Sequence, residues 1–121
     1  MDRIWSPWRY AYISKAGPSD ACFLCEKSAR TNDREDYVVF RGVHNLVLLN
    51  SFPYTTGHLL IAPYAHQPTL QELPDATLHE MILLARAAER HLRAVYKPQG
   101  LNLGINVGEC AGAGVAGHLH M

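Results

Sequence analysis

Short runs of β-branched and other apolar residues dominate the first half of the chain. They occupy residues 37–40, 46–49 and 58–62, and polar or turn-forming residues bound each run. Runs of this length with such boundaries are typical of β-strands. A glycine in residues 42–44 separates the first two runs, which predicts a hairpin there. The pattern therefore predicts three successive strands.

Apolar residues then recur at spacings of three and four between residues 76 and 96, which places them on one face of a long helix. Asp75 stands in front of this segment as a suitable N-cap, and a proline and a glycine follow its end. Two further runs, residues 101–107 and 117–121, predict a fourth and a fifth strand. Strands, one long helix and more strands indicate an α+β domain with a mostly antiparallel sheet.

Composition adds limits on function. The 121 residues, 48% of them hydrophobic, predict a single domain over 1–121, with the aromatic residues 1–20 as an arm packed on the domain or on a second subunit. Eleven basic and eleven acidic residues cancel, which argues against binding a nucleic acid polymer. No apolar run resembles a signal peptide or a membrane span. With three cysteines and no disulfide framework, we expect a soluble, cytoplasmic protein.

Four residues carry side chains that bind soft divalent metals: Cys22, Cys25, His66 and His118. Two thiolates and two imidazoles suit a tetrahedral zinc site if the fold brings the distant histidines to the C-x-x-C pair. The alternatives are a redox pair or two buried thiols, with His66 as an ordinary surface-loop histidine. The sequence leaves these interpretations open.

His118 and His120 project to the same face of an extended segment because side chains alternate along a strand. Imidazole can carry a phosphoryl or nucleotidyl group, and backbone amides of the glycine-rich residues 106–114 could surround a phosphate. Asn106 could donate another hydrogen bond. The alternative is a strand with two solvent-facing histidines after a flexible linker.

Asn50 and His58 bracket the loop between the second and third predicted strands. Asn50 could bind ribose hydroxyl groups and His58 could face a phosphate. The alternative is that both residues only shape turns.

Several motifs together resemble the histidine triad (HIT) superfamily of nucleotide hydrolases and transferases. Residues 57–63 look like its G-H strand, residues 100–102 and 106–108 look like its G-x-N…N-x-G segment, and residues 117–121 look like the opening of its H-x-H-x-H motif. Residues 5–10 are similar to the N-terminus of the bacterial branch that includes diadenosine tetraphosphate phosphorylases. The resemblance covers nearly the whole chain.

The resemblance implies a five-stranded antiparallel sheet with helices, paired in a homodimer into a ten-stranded sheet. It also implies that His120 is the catalytic nucleophile, attacking an α-phosphorus to form a nucleotidyl-histidine that water or phosphate releases. We therefore expect a hydrolase or transferase acting on dinucleoside polyphosphates or nucleoside phosphoramidates, with an adenine nucleotide as substrate.

The same resemblance assigns the binding residues. For the nucleotide these are Asn50, His58, Asn106, Gly112 and Gly114, with Asn50 at the position that holds the ribose. Some bacterial members bind zinc through a C-x-x-C pair and two histidines, which correspond here to Cys22, Cys25, His66 and His118. Because four protein ligands leave no open position, this zinc is expected to be structural.

The resemblance places the third histidine of the triad at position 122, one residue beyond Met121. We therefore expect a truncated last strand, with the C-terminal part of the domain missing after residue 121. The chain is then either a truncated product or has its strand completed in another way. The alternative function is a zinc-stapled nucleotide-binding or sensing protein with little or no catalysis, and the remaining alternative is an inactive fragment.

Overall fold

A computed structural model describes residues 21–121, so the predicted N-terminal arm at 1–20 lies outside the described residues. Within these residues there are two α-helices and three strands, with single 3-10 turns at Leu70–Glu72 and Glu109–Ala111. In chain order the elements are α1 (Phe23–Ala29), β1 (Val38–Arg41), β2 (Asn45–Leu49), β3 (Leu59–Pro63) and α2 (Asp75–Tyr96).

The three strands form one antiparallel sheet in the order β1-β2-β3. Arg41 pairs with Leu46 across the hairpin, whose turn lies at the predicted residues 42–44, and Leu46 pairs with Ala62 in β3. The register of the β1–β2 pairing shifts between Val38 and Phe40, where β1 has a bulge or irregularity. The α+β class and the antiparallel sheet are confirmed.

Alternation along the strands builds a core on each face of the sheet. One face packs against Leu24 of α1 and includes Val38, Leu46, Leu48, Leu60 and Ala62. The other face packs against α2 and consists of Val47, Ile61, Leu73, Met81, Ala85 and Leu119. The sheet is therefore covered by a helix on both faces.

Helix α2 matches the predicted long helix, but its N-cap does not. Asp75 is the first helical residue and Pro74 is the N-cap, without a side-chain capping bond. The Asp75 carboxylate instead lies in the first turn, where the helix dipole favours negative charge. The helix ends at Tyr96, and its C-cap Lys97 has a left-handed backbone (φ 51°) and donates its N–H to the Arg93 carbonyl oxygen at 3.2 Å. Neither helix of residues 21–121 has the length and apolar character needed to cross a membrane.

The predicted fourth and fifth strands are corrected by the structure. Met121 and Ile61 exchange two backbone hydrogen bonds of 2.8 Å, so residues 117–121 lie along the edge of β3. This pairing does not extend into a ladder, and no strand is formed at 117–121. Residues 101–107 make no backbone hydrogen bond to another segment of residues 21–121. An apolar pattern alone does not make a strand, because a strand also needs a neighbouring edge with repeated hydrogen bonds.

A carboxylate of α2 holds the hairpin turn between β1 and β2. Glu80 accepts hydrogen bonds from the backbone N–H groups of Val43, His44 and Asn45, at 2.8, 2.8 and 2.7 Å. Burial alone would raise the pKa of Glu80, but hydrogen bonds from the Asn45 side chain and these backbone groups hold it below its usual value. A Cβ at Gly42 would stand 2.7 Å from Glu80 Oε1, so the close approach requires glycine.

Candidate metal centre and nucleotide site

Four predicted metal ligands converge at one end of the sheet. The ligand atoms of Cys22, Cys25, His66 and His118 all lie within 4.8 Å of one another. His118 Nδ1 is 3.3 Å from Cys22 Sγ, 3.4 Å from Cys25 Sγ and 3.2 Å from His66 Nδ1. A tetrahedral zinc ion, about 2.3 Å from sulfur and about 2.0 Å from nitrogen, separates its ligands by about 3.3 to 3.8 Å. The donor set and its spacing fit a tetrahedral metal.

Local structure explains how residues so distant in sequence meet. Cys22 is the N-cap of α1 and Cys25 lies in its first turn, so both thiols project from the same end of the helix. His66 follows β3, and the edge contact between Met121 and Ile61 brings the His118 segment alongside. A C-x-x-C at a helix start and two histidines beside one strand end therefore form a single centre.

His118 is prepared as a ligand by its surroundings. Its side chain is fully buried, and its Nε2 lies 2.7 Å from the Pro63 carbonyl oxygen. A carbonyl only accepts, so the ring proton is on Nε2 and the Nδ1 lone pair faces the cysteines. Burial lowers the pKa of His118, and the hydrogen bond to the Pro63 carbonyl raises it by a smaller amount. The net lowering favours the neutral imidazole.

The two thiols also favour a cation between them. Burial raises the pKa of the Cys25 thiol, and the hydrogen bond and charge of Cys22 raise it further. Two adjacent thiolates therefore need a compensating positive charge, which a divalent metal supplies.

The backbone at Gly117 approaches His66 so closely that an added Cβ would be 3.2 Å from Nε2. Cys22, Cys25, His66 and His118 together could hold a metal ion.

His120, the predicted nucleophile, is half-buried beside this centre. Its Nδ1 lies 3.1 Å from the His118 carbonyl oxygen. Because the carbonyl can only accept, the proton is on Nδ1 and the lone pair is on Nε2. The neighbouring Met121 is fixed to Ile61 by its two backbone bonds. The chain therefore holds His120 in the tautomer whose Nε2 can attack an electrophile.

Asn50 and His58 meet at the opposite end of β2 and β3. Asn50 N–H donates to the His58 carbonyl oxygen at 2.9 Å, and Asn50 Nδ2 is 3.4 Å from His58 Nδ1. Tyr54, which the sequence reasoning missed, stacks its ring on His58 with centroids 5.7 Å apart and an angle of 18°. An aromatic residue four positions before a histidine in a loop was the only available signal. The structure brings the two predicted residues together and adds a third.

Contacts within the glycine-rich loop, residues 106–114, hold its shape. Asn106 Nδ2 donates to the Gly112 carbonyl oxygen at 3.3 Å, and Gly108 and Gly112 adopt positive φ angles of 87° and 94°. Gly114 is exposed. Within residues 21–121, no hydrogen bond connects this loop to His120. The structure therefore pairs Asn106 with Gly112 but does not join them to His120.

A cavity of about 480 Å³ lies between β3, the second half of α2 and residues 98–104. Side chains of Leu92, Tyr96, Leu101 and Met121 line it, and Tyr54 and His58 reach its edge. A volume of this size suits a small molecule.

Comparison with known proteins decides the family. The HIT domain model matches residues 31–121. The chain belongs to the HIT family. This result confirms the resemblance carried by the glycine and histidine motifs.

The relatives of this HIT protein include enzymes and solved structures. It is 32% identical over 128 residues to AP-4-A phosphorylase of Mycobacterium tuberculosis, an alignment that covers 100% of this chain and 66% of that protein. The chain thus spans just under two thirds of that relative's length. A HIT family protein from Bacillus anthracis superposes with a TM-score of 0.71 and 27% identity, covering 84% of this chain and 72% of that one. A zinc-bound histidine triad protein from Mycobacterium smegmatis gives 0.68 and 27%, covering 83% and 72%. The HIT-like fold is confirmed.

Proposed function

We propose that this HIT protein is a nucleotidyl hydrolase or transferase acting on dinucleoside polyphosphates or nucleoside phosphoramidates through His120. The observation that carries the proposal is the 3.1 Å contact from His120 Nδ1 to the His118 carbonyl oxygen, which leaves the lone pair on Nε2. The name of the M. tuberculosis relative, AP-4-A phosphorylase, supports the substrate class.

The proposed reaction has two displacements at the α-phosphorus. The lone pair of His120 Nε2 forms a P–N bond while phosphorus loses its bond to the leaving group. That group departs as a nucleoside polyphosphate through its bridging oxygen, or as an amine that takes up a proton from solvent. Water or inorganic phosphate then attacks the same phosphorus, and the P–N bond breaks to regenerate the imidazole. Both halves use one nucleophile, so the second acceptor alone decides between hydrolysis and phosphorolysis.

The remaining assignments concern the nucleotide. We place the ribose at Asn50 and His58, which are already in contact through Asn50 Nδ2. Asn106, Gly112 and Gly114 would contact the phosphates. The Asn106 side chain and the Gly112 N–H donate to carbonyl oxygens within the loop and would exchange these bonds for phosphate oxygens. Closure of this loop onto His120 would then accompany nucleotide binding.

For the metal centre we propose one structural zinc ion held by Cys22, Cys25, His66 and His118. When bound, zinc supplies a cross-link between α1 and the segment that carries His120, and four protein ligands leave no position for a reacting water. The distances between the ligand atoms and the zinc-bound relative from M. smegmatis support this role.

We also propose that the protein is a homodimer. Leu103 and Val107 are 56% and 41% exposed in a segment that has no backbone partner within residues 21–121. Analytical ultracentrifugation should give twice the chain mass, and Leu103→Glu should shift the protein to monomer while Leu70→Glu, elsewhere on the surface, should not. A parent chain that sediments as a monomer at all concentrations would contradict the dimer.

The function is tested with diadenosine tetraphosphate, with and without inorganic phosphate. ADP and ATP formed only with phosphate indicate a phosphorylase, whereas ATP and AMP formed with water alone indicate a hydrolase. His120→Ala should lose turnover by at least about a thousandfold, and His91→Ala, an exposed histidine of α2, should not. Equal turnover by His120→Ala and the parent would refute the nucleophile. AMP binding without any product would favour a non-catalytic binding protein.

A further inference from the structure

Three residues in the loop before β3 form a compact polar and aromatic group: Asn50, Tyr54 and His58. The Tyr54 and His58 rings are stacked, and the Tyr54 backbone N–H points at His58 Nδ1 with 3.2 Å between the nitrogens. A backbone N–H can only donate, so His58 Nδ1 must accept. The contact therefore fixes which ring nitrogen carries the lone pair.

Asn50 adds a second donor on the same side of the ring. Phe52 N–H donates to Asn50 Oδ1 at 2.9 Å, which fixes the orientation of the amide and turns its Nδ2 towards His58. Nδ2 lies 3.4 Å from Nδ1 and 3.5 Å from Nε2, so Asn50 contacts the ring without selecting one nitrogen. The Tyr54 N–H, 3.2 Å from Nδ1, selects the tautomer.

We propose that Tyr54 is a positioning residue that holds His58 in the tautomer protonated on Nε2, so that His58 acts as a hydrogen-bond donor to an oxygen of the nucleotide. The stacked ring keeps the imidazole plane in place and the backbone N–H selects its tautomer. The opposite tautomer would direct Nδ1–H at the Tyr54 N–H, placing two donors together.

The chemistry of the ligand follows from the donor. A neutral imidazole with its proton on Nε2 recognises an acceptor, and ribose hydroxyl and phosphate oxygens are the acceptors of a nucleotide. The ligand half of this inference rests on the proposed nucleotide-binding function. The tautomer itself is a property of the free protein and can be measured without substrate.

The test is nitrogen NMR of the protein labelled with ¹⁵N, at about pH 8, where an ordinary imidazole is neutral. We expect His58 Nδ1 at the shift of an unprotonated nitrogen and Nε2 at that of a protonated one. A scalar coupling across the hydrogen bond should connect the Tyr54 amide nitrogen with His58 Nδ1. A protonated Nδ1, or a sharp Tyr54 amide without this coupling, would overturn the proposal.

Variants separate the ring from the backbone N–H. Tyr54→Phe keeps both and should leave the His58 signals unchanged. Tyr54→Pro deletes the N–H, and should mix the two tautomers and weaken AMP binding about tenfold, the effect of one hydrogen bond. If that variant does not fold, Tyr54→Ala provides the second test, because it removes the stacked ring and keeps the N–H, so Nδ1 should stay unprotonated while the ring signals of His58 shift. Unchanged tautomers in a folded Tyr54→Pro protein, or a protonated Nδ1 in Tyr54→Ala, would contradict the role of the N–H.

Titration with AMP distinguishes the two levels of the proposal. The Nε2 signal of His58 should shift on binding while its tautomer stays the same. If the tautomer is as proposed but AMP leaves Nε2 unchanged, the ligand contact is wrong. If AMP shifts Nε2 and His120→Ala still turns over substrate, the proposed catalytic mechanism fails while the role of Tyr54 stands.

Discussion

The two ends of the β2–β3 pair are built in different ways. At the end where Asn45 pairs with Pro63, a fully buried His118, two thiols and the Glu80 carboxylate make short contacts with the chain around them. At the end where Leu49 pairs with Leu59, Asn50 and His58 are half-buried, and the exposed loop residues Phe52 and Tyr54 hold their side chains. The first end is held inside the fold and the second by an exposed loop.

This difference indicates a division of labour. Buried polar groups held by hydrogen bonds rigidify a fold, whereas groups nearer the surface can exchange their contacts for contacts to a ligand. His120 is two residues from His118 and directly precedes Met121, which pairs with Ile61 in the middle of β3. We therefore expect substitutions at the first end to change stability and metal binding, and those at the second to change nucleotide binding.

The largest effect should come from Cys25→Ser. Loss of a thiolate should release the metal and lower the free energy of unfolding by at least about 3 kcal/mol, because binding free energy at a structural zinc is folding free energy. Metal analysis and thermal melts measure both changes. Cys110→Ser, at an exposed cysteine outside the metal centre, is the matched control and should change neither. A metal-free parent protein that melts as Cys25→Ser does would contradict the structural zinc.

Glu80→Gln should cost about 1 to 3 kcal/mol, because an NH2 group replaces one of the two carboxylate oxygens and faces a backbone N–H of the hairpin turn, so two donors meet there. The lowered pKa of Glu80 determines how the free energy of unfolding depends on pH. The ionised carboxylate stabilises the fold above the pKa of the unfolded carboxyl group, and this stabilisation is lost as the pH falls through the lower pKa of the folded state. The parent should therefore lose stability below about pH 4.3 more steeply than the variant. Chemical denaturation at several pH values measures this.

The control for Glu80 is Glu89→Gln on the same helix. Glu89 forms an exposed pair with Arg93 at 3.0 Å, which contributes at most about 0.5 kcal/mol. Equal losses from both variants would show that the turn does not depend on its carboxylate.

Gly117→Ala should weaken the metal centre without removing it. The new Cβ would stand 3.2 Å from His66 Nε2, so the ring must shift and zinc affinity should fall about tenfold. Competition with a chelator measures the affinity. Gly100→Ala, where an added Cβ meets nothing within 4 Å, should leave it unchanged. Equal affinities for both variants would separate Gly117 from the metal.

The smallest effect on stability should come from Asn106→Ala. Its contact to the Gly112 carbonyl is exposed and 3.3 Å long, so the free energy of unfolding should change by less than about 0.5 kcal/mol. AMP affinity should nevertheless fall about tenfold through the lost donor. Calorimetric titration and denaturation together measure the contrast, and a stability loss with unchanged AMP binding would reverse the proposed division.

The sequence predicted the long helix and the first three strands better than it predicted which segments pair by hydrogen bonds. Periodicity located α2 and three strands because their apolar patterns repeat over several residues. It missed α1, whose seven residues are too few to show a helical period, and it assigned a strand to residues 101–107 where the described part of the chain provides no neighbouring edge.

The types of side chain in the sequence were sufficient to predict the residues of the metal centre, but not the other residues that matter for the site. Few combinations of residues offer the two thiolates and two imidazoles of a zinc site. The ligands Cys22, Cys25, His66 and His118 were therefore predictable from the sequence alone. Tyr54 and Glu80 were not, because each acts through backbone N–H groups brought close only by folding. Such contacts leave no pattern in the sequence.

The central claim is that His120 carries the nucleotidyl group, and mass spectrometry after a rapid quench in base tests it most directly. During turnover of diadenosine tetraphosphate, the peptide that contains His120 should gain the mass of one adenylyl group, and fragmentation should place it on that residue. The adduct should be stable in base and labile in acid, as a phosphoramidate is. Turnover without any adduct, or an adduct on another residue, would contradict the account.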